Sequence, residues 1–175
     1  MDLRQYIRDV PDFPRKGIVF KDITPVLMDP AAFHEAIRRM ATRVRRPDAV
    51  VAIESRGFVF GAGLALEWAV PLVPARKFGK LPGATVREVY SLEYGEDALE
   101  IHRDSIRAGQ HVVIVDDLLA TGGTAAATAR LVEQLEGVVE SFLFLVELKG
   151  LGGRGRLGAR PVEALIDFTV APPRA

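Results

Sequence analysis

Short apolar runs alternate along the chain with amphipathic stretches, and the spacing predicts strands separated by helices. Ala49-Val50-Val51-Ala52-Ile53 and Val112-Val113-Ile114-Val115 are unbroken β-forming runs, as strands buried on both faces of a parallel sheet are. Residues 138–148 give a third strand, with Phe142, Phe144 and Val146 alternating, and 71–75 and 161–170 supply two more. Between them lie helical patterns. Residues 31–46 place Phe33, Ile37, Met40 and Val44 on one face, behind an Asp29-Pro30 start suited to N-cap and first turn. Residues 58–69 and 125–135 are the other two helices. Alternation of this kind is the signature of an α/β fold with a mostly parallel central sheet flanked by helices. The remaining stretches are less regular. Residues 3–10 predict a short amphipathic helix ended by Pro11, and 13–27 an irregular arm with one short strand at 18–21. Residues 87–92 and 99–102 predict a ribbon that projects from the sheet, joined through Tyr94-Gly95.

Composition narrows the function. At 175 residues the chain is one domain by length, 1–175, with about 1–28 as a hood or arm and about 76–101 as a flexible loop and ribbon. Its formal net charge is zero, which argues against a nucleic-acid partner. It has no cysteine, so disulfides, thiolate metal sites and a Cys nucleophile are excluded, and a cytoplasmic location fits. No basic start is followed by an apolar run, and no apolar run is long enough for a bilayer, so neither secretion nor a membrane partner is expected. Asparagine is absent and arginine far outnumbers lysine. A thermophilic source and a biased genomic composition explain this equally well.

The candidate chemistry concentrates where the 112–115 run ends. Asp116-Asp117 follow, then Leu118-Leu119-Ala120-Thr121-Gly122-Gly123-Thr124 and a helix. Ligands of open α/β sheets bind beyond the carboxyl ends of strands. A helix start preceded by glycines offers free N–H groups and the positive end of a dipole. Ala120, Thr121, Gly122, Gly123 and Thr124 therefore read as a phosphate cradle. The carboxylates repel a phosphate but suit the hydroxyls of a ribose beside it, or a Mg²⁺ ion. A buried strand with a surface Asp-Asp and an ordinary turn is the plainer reading, and the order of all the features favours a sugar-phosphate site.

A second corner repeats the topology. Glu54-Ser55-Arg56-Gly57 closes the 49–53 strand and opens the next helix, so Arg56 is either a surface arginine or a phosphate ligand on the same rim. Arg76, Lys77 and Lys80 lie in a glycine- and proline-rich stretch, either a solvated charge run or a loop that closes over a diphosphate. Gly153-Arg154-Gly155-Arg156-Leu157-Gly158 matches a dinucleotide fingerprint but lacks the helix and βαβ unit that motif needs, and it is set aside. His34, His102 and His111 have no metal-binding spacing.

The 112–124 stretch closely resembles the phosphoribosyl-diphosphate (PRPP) signature of the type I phosphoribosyltransferase family. The resemblance extends from Pro14 to Leu148, and its pieces match the branch of that family that acts on adenine. They are Phe13-Pro14 with residues 17–24, Glu54-Ser55-Arg56-Gly57-Phe58, Arg76-Lys77, Gly79-Lys80-Leu81-Pro82, Tyr90-Ser91-Leu92-Glu93-Tyr94-Gly95 and Leu99-Glu100-Ile101. It implies a type I phosphoribosyltransferase-like core and a reaction of adenine with PRPP that gives AMP and diphosphate. It implies Mg²⁺ carried in by PRPP rather than bound directly by protein ligands, and a homodimer. It also implies roles for particular residues. Val19, Phe20, Lys21, Leu119 and Arg56 lie near the purine. Ser55, Arg76, Lys77, Lys80 and Tyr94 help to bind PRPP or AMP, with Asp116 and Asp117 on the ribose hydroxyls. Glu93 handles the proton at the imidazole part of adenine, with Arg56 as a second catalytic candidate. By its residues alone Glu93 reads as an exposed turn carboxylate. Lys21 departs from the arginine that many family members carry. Two alternatives stay open: transfer to a 6-oxo purine, and a PRPP-sensing regulator that binds nucleic acid.

Overall fold

The computed structural model describes residues 1–91 and 96–170, with Ser91 through its backbone. A 3₁₀ turn at Leu3–Tyr6 precedes strands β1 (Arg8–Pro11) and β2 (Val19–Asp22) and helix α1 (Thr24–Met28). Helix α2 (Pro30–Ala41), strand β3 (Ala49–Ile53), helix α3 (Gly57–Trp68) and strand β4 (Leu72–Lys77) follow. Then come β5 (Thr85–Ser91), β6 (Glu96–His102), β7 (His111–Leu119), helix α4 (Gly123–Gln134) and β8 (Val138–Lys149). A short helix α5 (Gly153–Arg156) and β9 (Val162–Thr169) complete the chain.

Among the described residues seven strands form one sheet in the order β5-β6-β4-β3-β7-β8-β9. Strands β4, β3, β7, β8 and β9 pair in parallel, and β6 and β5 add to the β4 edge in antiparallel. The expected α/β architecture is therefore present. The ribbon differs from its expectation, because it continues the sheet instead of projecting from it. Arg76 and Lys77 of β4 pair with Glu100 and Leu99 of β6, which gives the ribbon an edge to extend.

The apolar alternation explains the layers. Val112 and Ile114 of β7 pack with α4, while Val113 and Val115 pack with α2 and α3 on the other face. All five residues of β3 are buried, as a central strand covered on both faces requires. Asp29 caps α2 by accepting hydrogen bonds from the main-chain N–H groups of Ala31 and Ala32, both at 2.9 Å.

The N-terminal segment departs from the expected helix. Only Leu3–Tyr6 is helical, and Arg8–Pro11 pairs antiparallel with β2 in a separate two-stranded sheet. Leu3 and Ile7 are the buried anchors, and a helix continued through Val10 would remove the partner of β2. Helix α2 also ends at Ala41, earlier than the pattern suggested, with Val44 packed on the core from beyond it.

Candidate active site

Strand β7 does not stop before its carboxylates. It runs through Asp116 and Asp117 to Leu119, because parallel pairing with β8 continues from Asp116 opposite Phe144 to Leu119 opposite Glu147. The acid pair thus stands on a rigid strand rather than in a turn. Gly57, at the start of α3, sits so close that a β-carbon there would lie 2.7 Å from the Asp116 Oδ1. Burial, and next the charge of Asp117, push the Asp116 carboxyl well above the usual carboxylate range. Asp117 has a partner: the Arg56 Nε donates to its Oδ2 at 2.6 Å. Arg56 lies at the N-cap of α3, so the two predicted corners meet across adjacent strands.

Beyond Leu119 the chain turns through Ala120 and Thr121 into α4. Gly122 is the N-cap residue in the left-handed region, with φ 78°, which glycine adopts at least cost. No side chain caps this helix, so its first N–H groups face outward. Residues 118–125 with Asp116 and Phe144 line a cavity of about 100 Å³. An uncapped, glycine-led helix start thus stands beside a carboxylate pair, an arrangement whose free N–H groups could receive an anion.

The cations on the neighbouring strand are already engaged. The Glu54 carboxylate accepts from the Arg76 Nε at 3.3 Å, the Arg76 Nη2 at 3.1 Å and the Lys77 main-chain N–H at 2.9 Å. Chiefly the Arg76 hydrogen bonds hold Glu54 below the usual range. The Lys77 Nζ lies 3.1 Å from the Asp97 Oδ2, which raises the lysine. Glu100, nearly inaccessible on β6, accepts from the main-chain N–H groups of Lys80 and Leu81 at 3.0 and 2.9 Å and from the Thr85 hydroxyl at 3.2 Å. Arg76 and Lys77 end a strand rather than open a loop, Glu54 and Asp97 hold them, and Glu100 ties down the turn that carries Lys80. The Glu54–Ser55 peptide is cis. Glu93 and Tyr94 lie outside the described residues.

The arm folds over this rim. The Arg56 guanidinium lies 5.1 Å from the centroid of the Phe20 ring, and Phe13 meets Phe20 edge-on at 5.2 Å. Lys21 points the other way, as the next residue of a strand must. Its Nζ bonds to the Asp9 Oδ1 at 2.6 Å and lies 4.2 Å from the centroid of the Phe168 ring. Val19 is exposed. Leu119 does not have the surface expected of a base contact. Its side chain is buried on the α4 side, so Leu118 is the half-buried member of the pair.

Several residues at the site escaped the sequence reading. Glu54 holds Arg76, Glu100 holds the main chain of Lys80 and Leu81, Asp97 pairs with Lys77, and the buried Tyr90 hydroxyl faces Asp97 and Thr124. Glu100 carried a signal, since it is a lone charge inside the buried run Ala98, Leu99, Ile101. Among the described residues no three His, Asp or Glu side chains converge as a cage for a metal.

The model of the phosphoribosyl transferase domain matches residues 27–147. An adenine phosphoribosyltransferase of Thermotoga neapolitana is 56% identical over 170 residues, 96% of this chain and 100% of that protein. The crystal structure of adenine phosphoribosyltransferase from Thermoanaerobacter pseudethanolicus matches with a TM-score of 0.92 and 53% identity, over 95% of this chain and 98% of the other. That of the Saccharomyces cerevisiae enzyme, complexed with an imino-altritol bisphosphate and adenine, matches with a TM-score of 0.86 and 42% identity, over 94% and 96%. The motifs in the sequence, the sheet order and these likenesses agree, and the chain belongs to the phosphoribosyl transferase family and, within it, to the adenine phosphoribosyltransferases.

Proposed function

We propose that this chain transfers the 5-phosphoribosyl group of PRPP to adenine, giving AMP and diphosphate in purine salvage. The observation that carries the reading is the β7–α4 corner, a carboxylate pair on a strand beside an uncapped, glycine-led helix start and a small open cavity. The relatives' shared name supplies adenine as the acceptor.

The division of labour follows from charge. Ala120, Thr121, Gly122, Gly123 and Thr124 hold the 5-phosphate, and Asp116 and Asp117 hold the ribose hydroxyls. As the bond from C1 to the diphosphate oxygen breaks, positive charge grows on the ribose, where the carboxylates are well signed for it. Negative charge grows on the diphosphate, which Arg76, Lys77, Lys80 and Ser55 receive after the two paired cations exchange Glu54 and Asp97 for phosphate oxygens. The purine nitrogen forms the new bond to C1 and gives up its proton to Glu93. Phe20 stacks on the base with Arg56 beside it, and the main chain of Val19 and Lys21, two apart on one strand edge, reads the purine edge. Lys21 serves through its main chain alone, since its side chain is engaged with Asp9 and Phe168. Leu118 replaces Leu119 as the apolar contact. The donor set fits Mg²⁺ that arrives on diphosphate oxygens, and Asp116 and Asp117 are the residues that would hold it through water. When bound, Mg²⁺ neutralises charge on the leaving diphosphate.

A homodimer is part of the proposal. Ala62, Ala65, Leu66, Val70 and Leu72 line an apolar groove of about 660 Å³, and Leu66 is 83% exposed, a surface suited to a second copy. A cytoplasmic location goes with a cysteine-free chain in which no described helix is long and apolar enough to cross a membrane.

The test is diphosphate release from PRPP and Mg²⁺ with each purine and pyrimidine base supplied separately. Release with adenine, together with AMP, is the expected result. Release with a 6-oxo purine instead would keep the PRPP corner and overturn the reading of the arm. Binding of PRPP without release for any base would favour a regulator.

A further inference from the structure

The glycine-rich segment around α5 matched a dinucleotide fingerprint in the sequence and fits none in the fold, yet it is built into the phosphate corner. A β-carbon on Gly122 would lie 2.7 Å from the carbonyl oxygen of Gly153, and one on Gly153 would meet the carbonyl oxygen of Ala120 and the Leu119 side chain. The two turns are locked main chain to main chain. Arg154 fixes α5 from beneath. Its Nε and Nη2 donate to the buried Glu147 carboxylate at 2.8 Å each, and its Nη1 donates to the carbonyl of Val162 at 2.6 Å. Glu147 is the register partner of Leu119, so the clamp holds α5 against the strand that delivers the cradle.

At the end of α5 stands Arg156. Its Nη1 lies 3.1 Å from the point that a β-carbon of Gly123 would occupy, and the Tyr90 ring is 3.9 Å from the same point. Gly123 is the first residue of α4. The two neighbouring arginines are neutralised, Arg154 by Glu147 and Arg160 by Glu133. Among the described residues no side-chain hydrogen bond or ion pair joins the Arg156 guanidinium to a partner. An unpaired guanidinium at a helix N-terminus has the wrong sign for the helix dipole, which favours anions there and cations at the other end. The position is unfavourable in the empty site and becomes favourable when an anion lies between the guanidinium and the N–H groups of residues 121–124.

We infer that Arg156 is a ligand of the 5-phosphate of PRPP and AMP, supplied to the cradle by a segment some thirty residues downstream (153–156 against 120–124). The inference rests on the reading of residues 120–124 as the 5-phosphate site. A guanidinium presents paired N–H donors that match two phosphate oxygens, which the main-chain N–H groups of the cradle leave free. The Arg154–Glu147 clamp holds the donor in place before the ligand arrives, so little order has to be gained on binding.

Calorimetric titration of AMP and of ribose 5-phosphate tests this, with Arg156→Gln, Arg156→Lys and, as a surface control, Arg160→Gln, alongside steady-state rates and melting curves. Arg156→Gln is expected to weaken both ligands about tenfold and to raise KM for PRPP by a similar factor, because charge-assisted hydrogen bonds carry about that much. KM for adenine and the melting midpoint should hold, Arg156→Lys should recover part of the loss, and Arg160→Gln should match the unaltered chain. Unchanged affinity for both ligands in Arg156→Gln overturns the inference while leaving the phosphate corner intact. Equal losses in Arg156→Gln and Arg156→Lys, with a lowered midpoint and weaker adenine binding, also overturn it, since Arg156 would then only hold α5. If the unaltered chain binds neither ligand, the reading of the corner itself falls.

Discussion

The phosphate corner and the N-terminal arm face each other across the rim of the sheet, and they are built on opposite principles. The corner is backbone against backbone: Gly122 meets Gly153, and Gly153 meets Ala120. Beyond the β1–β2 pairing and the buried Leu3 and Ile7, the arm is held by side-chain ion pairs and ring contacts. Arg8 bonds to Asp22 at 2.5 Å, Lys21 to Asp9 at 2.6 Å, and both Arg4 and Lys21 lie over Phe168. Backbone contacts leave no slack, whereas exposed ion pairs are weak and replaceable. Under the proposed function the corner would hold a phosphate group of unvarying shape, and the arm would admit the base and release the nucleotide.

The largest effect expected concerns the carboxylates. Asp116→Asn combined with Asp117→Asn should lower kcat/KM for PRPP by about 10²–10³-fold, the scale seen when groups aimed at developing charge are removed. The circular dichroism spectrum should be retained. Unchanged kinetics would remove the pair from the site.

Next come two glycines of like conformation. Gly122 (φ +78°) and Gly17 (φ +86°) both carry a positive φ, yet a β-carbon on Gly17 meets nothing within 4 Å. Gly17→Ala should cost about 1–2 kcal/mol, the backbone term alone. Gly122→Ala should cost about 3 kcal/mol or more, because the clash with Gly153 adds overpacking strain to that term. Equal losses in denaturant titrations would show that the corner is no tighter than the arm.

On the arm itself, Phe20→Ala should raise KM for adenine about tenfold, as loss of one stacking face does, and should leave KM for PRPP within twofold. A PRPP effect of equal size would mean that the arm shapes the whole site. Acid should loosen the arm. Hydrogen bonds from Thr24, and next from Arg8, lower the Asp22 carboxyl from 3.8 to about 2. A depressed carboxylate stabilises the fold above its unfolded pKa, and that contribution is lost as pH falls from about 4 towards 2. Asp22→Asn should therefore flatten the fall in melting midpoint between pH 5 and pH 3, and a fall as steep as that of the unaltered chain would exclude this origin. The smallest effect belongs to Lys21→Met, which should change KM for adenine by less than twofold. A tenfold rise would bring the lysine side chain into the base site.

The same contrast explains what the sequence disclosed. The corner was legible because its constraints are local: an unbroken apolar strand, two acids and two glycines in order along residues 112–123. The core strands β3 and β8 were legible for the same reason, through continuous burial. The arm was not. Val10 and Phe20 are register partners across a turn, and nothing in the local pattern of residues 3–10 separates a strand from an amphipathic helix. The partners of the cations were hidden as well. Glu54 bonds to Arg76 and Asp97 to Lys77 across twenty or more residues, and only the sheet order brings them together. Leu118 and Leu119 were indistinguishable by composition, since a shift of one residue along a strand reverses which face a side chain takes.

The contact between Gly122 and Gly153 has a consequence for anyone who would move this site. A loop graft of residues 116–124 onto another sheet would carry the visible motif and lose the wall behind it. The portable unit is discontinuous, the nine residues together with Gly153, the Arg154–Glu147 clamp and the strand that bears the glutamate. By the same logic residues 122 and 153 cannot drift independently. A larger side chain at 122 would press on the Gly153 carbonyl, and one at 153 on Ala120 and Leu119, so each turn limits the other.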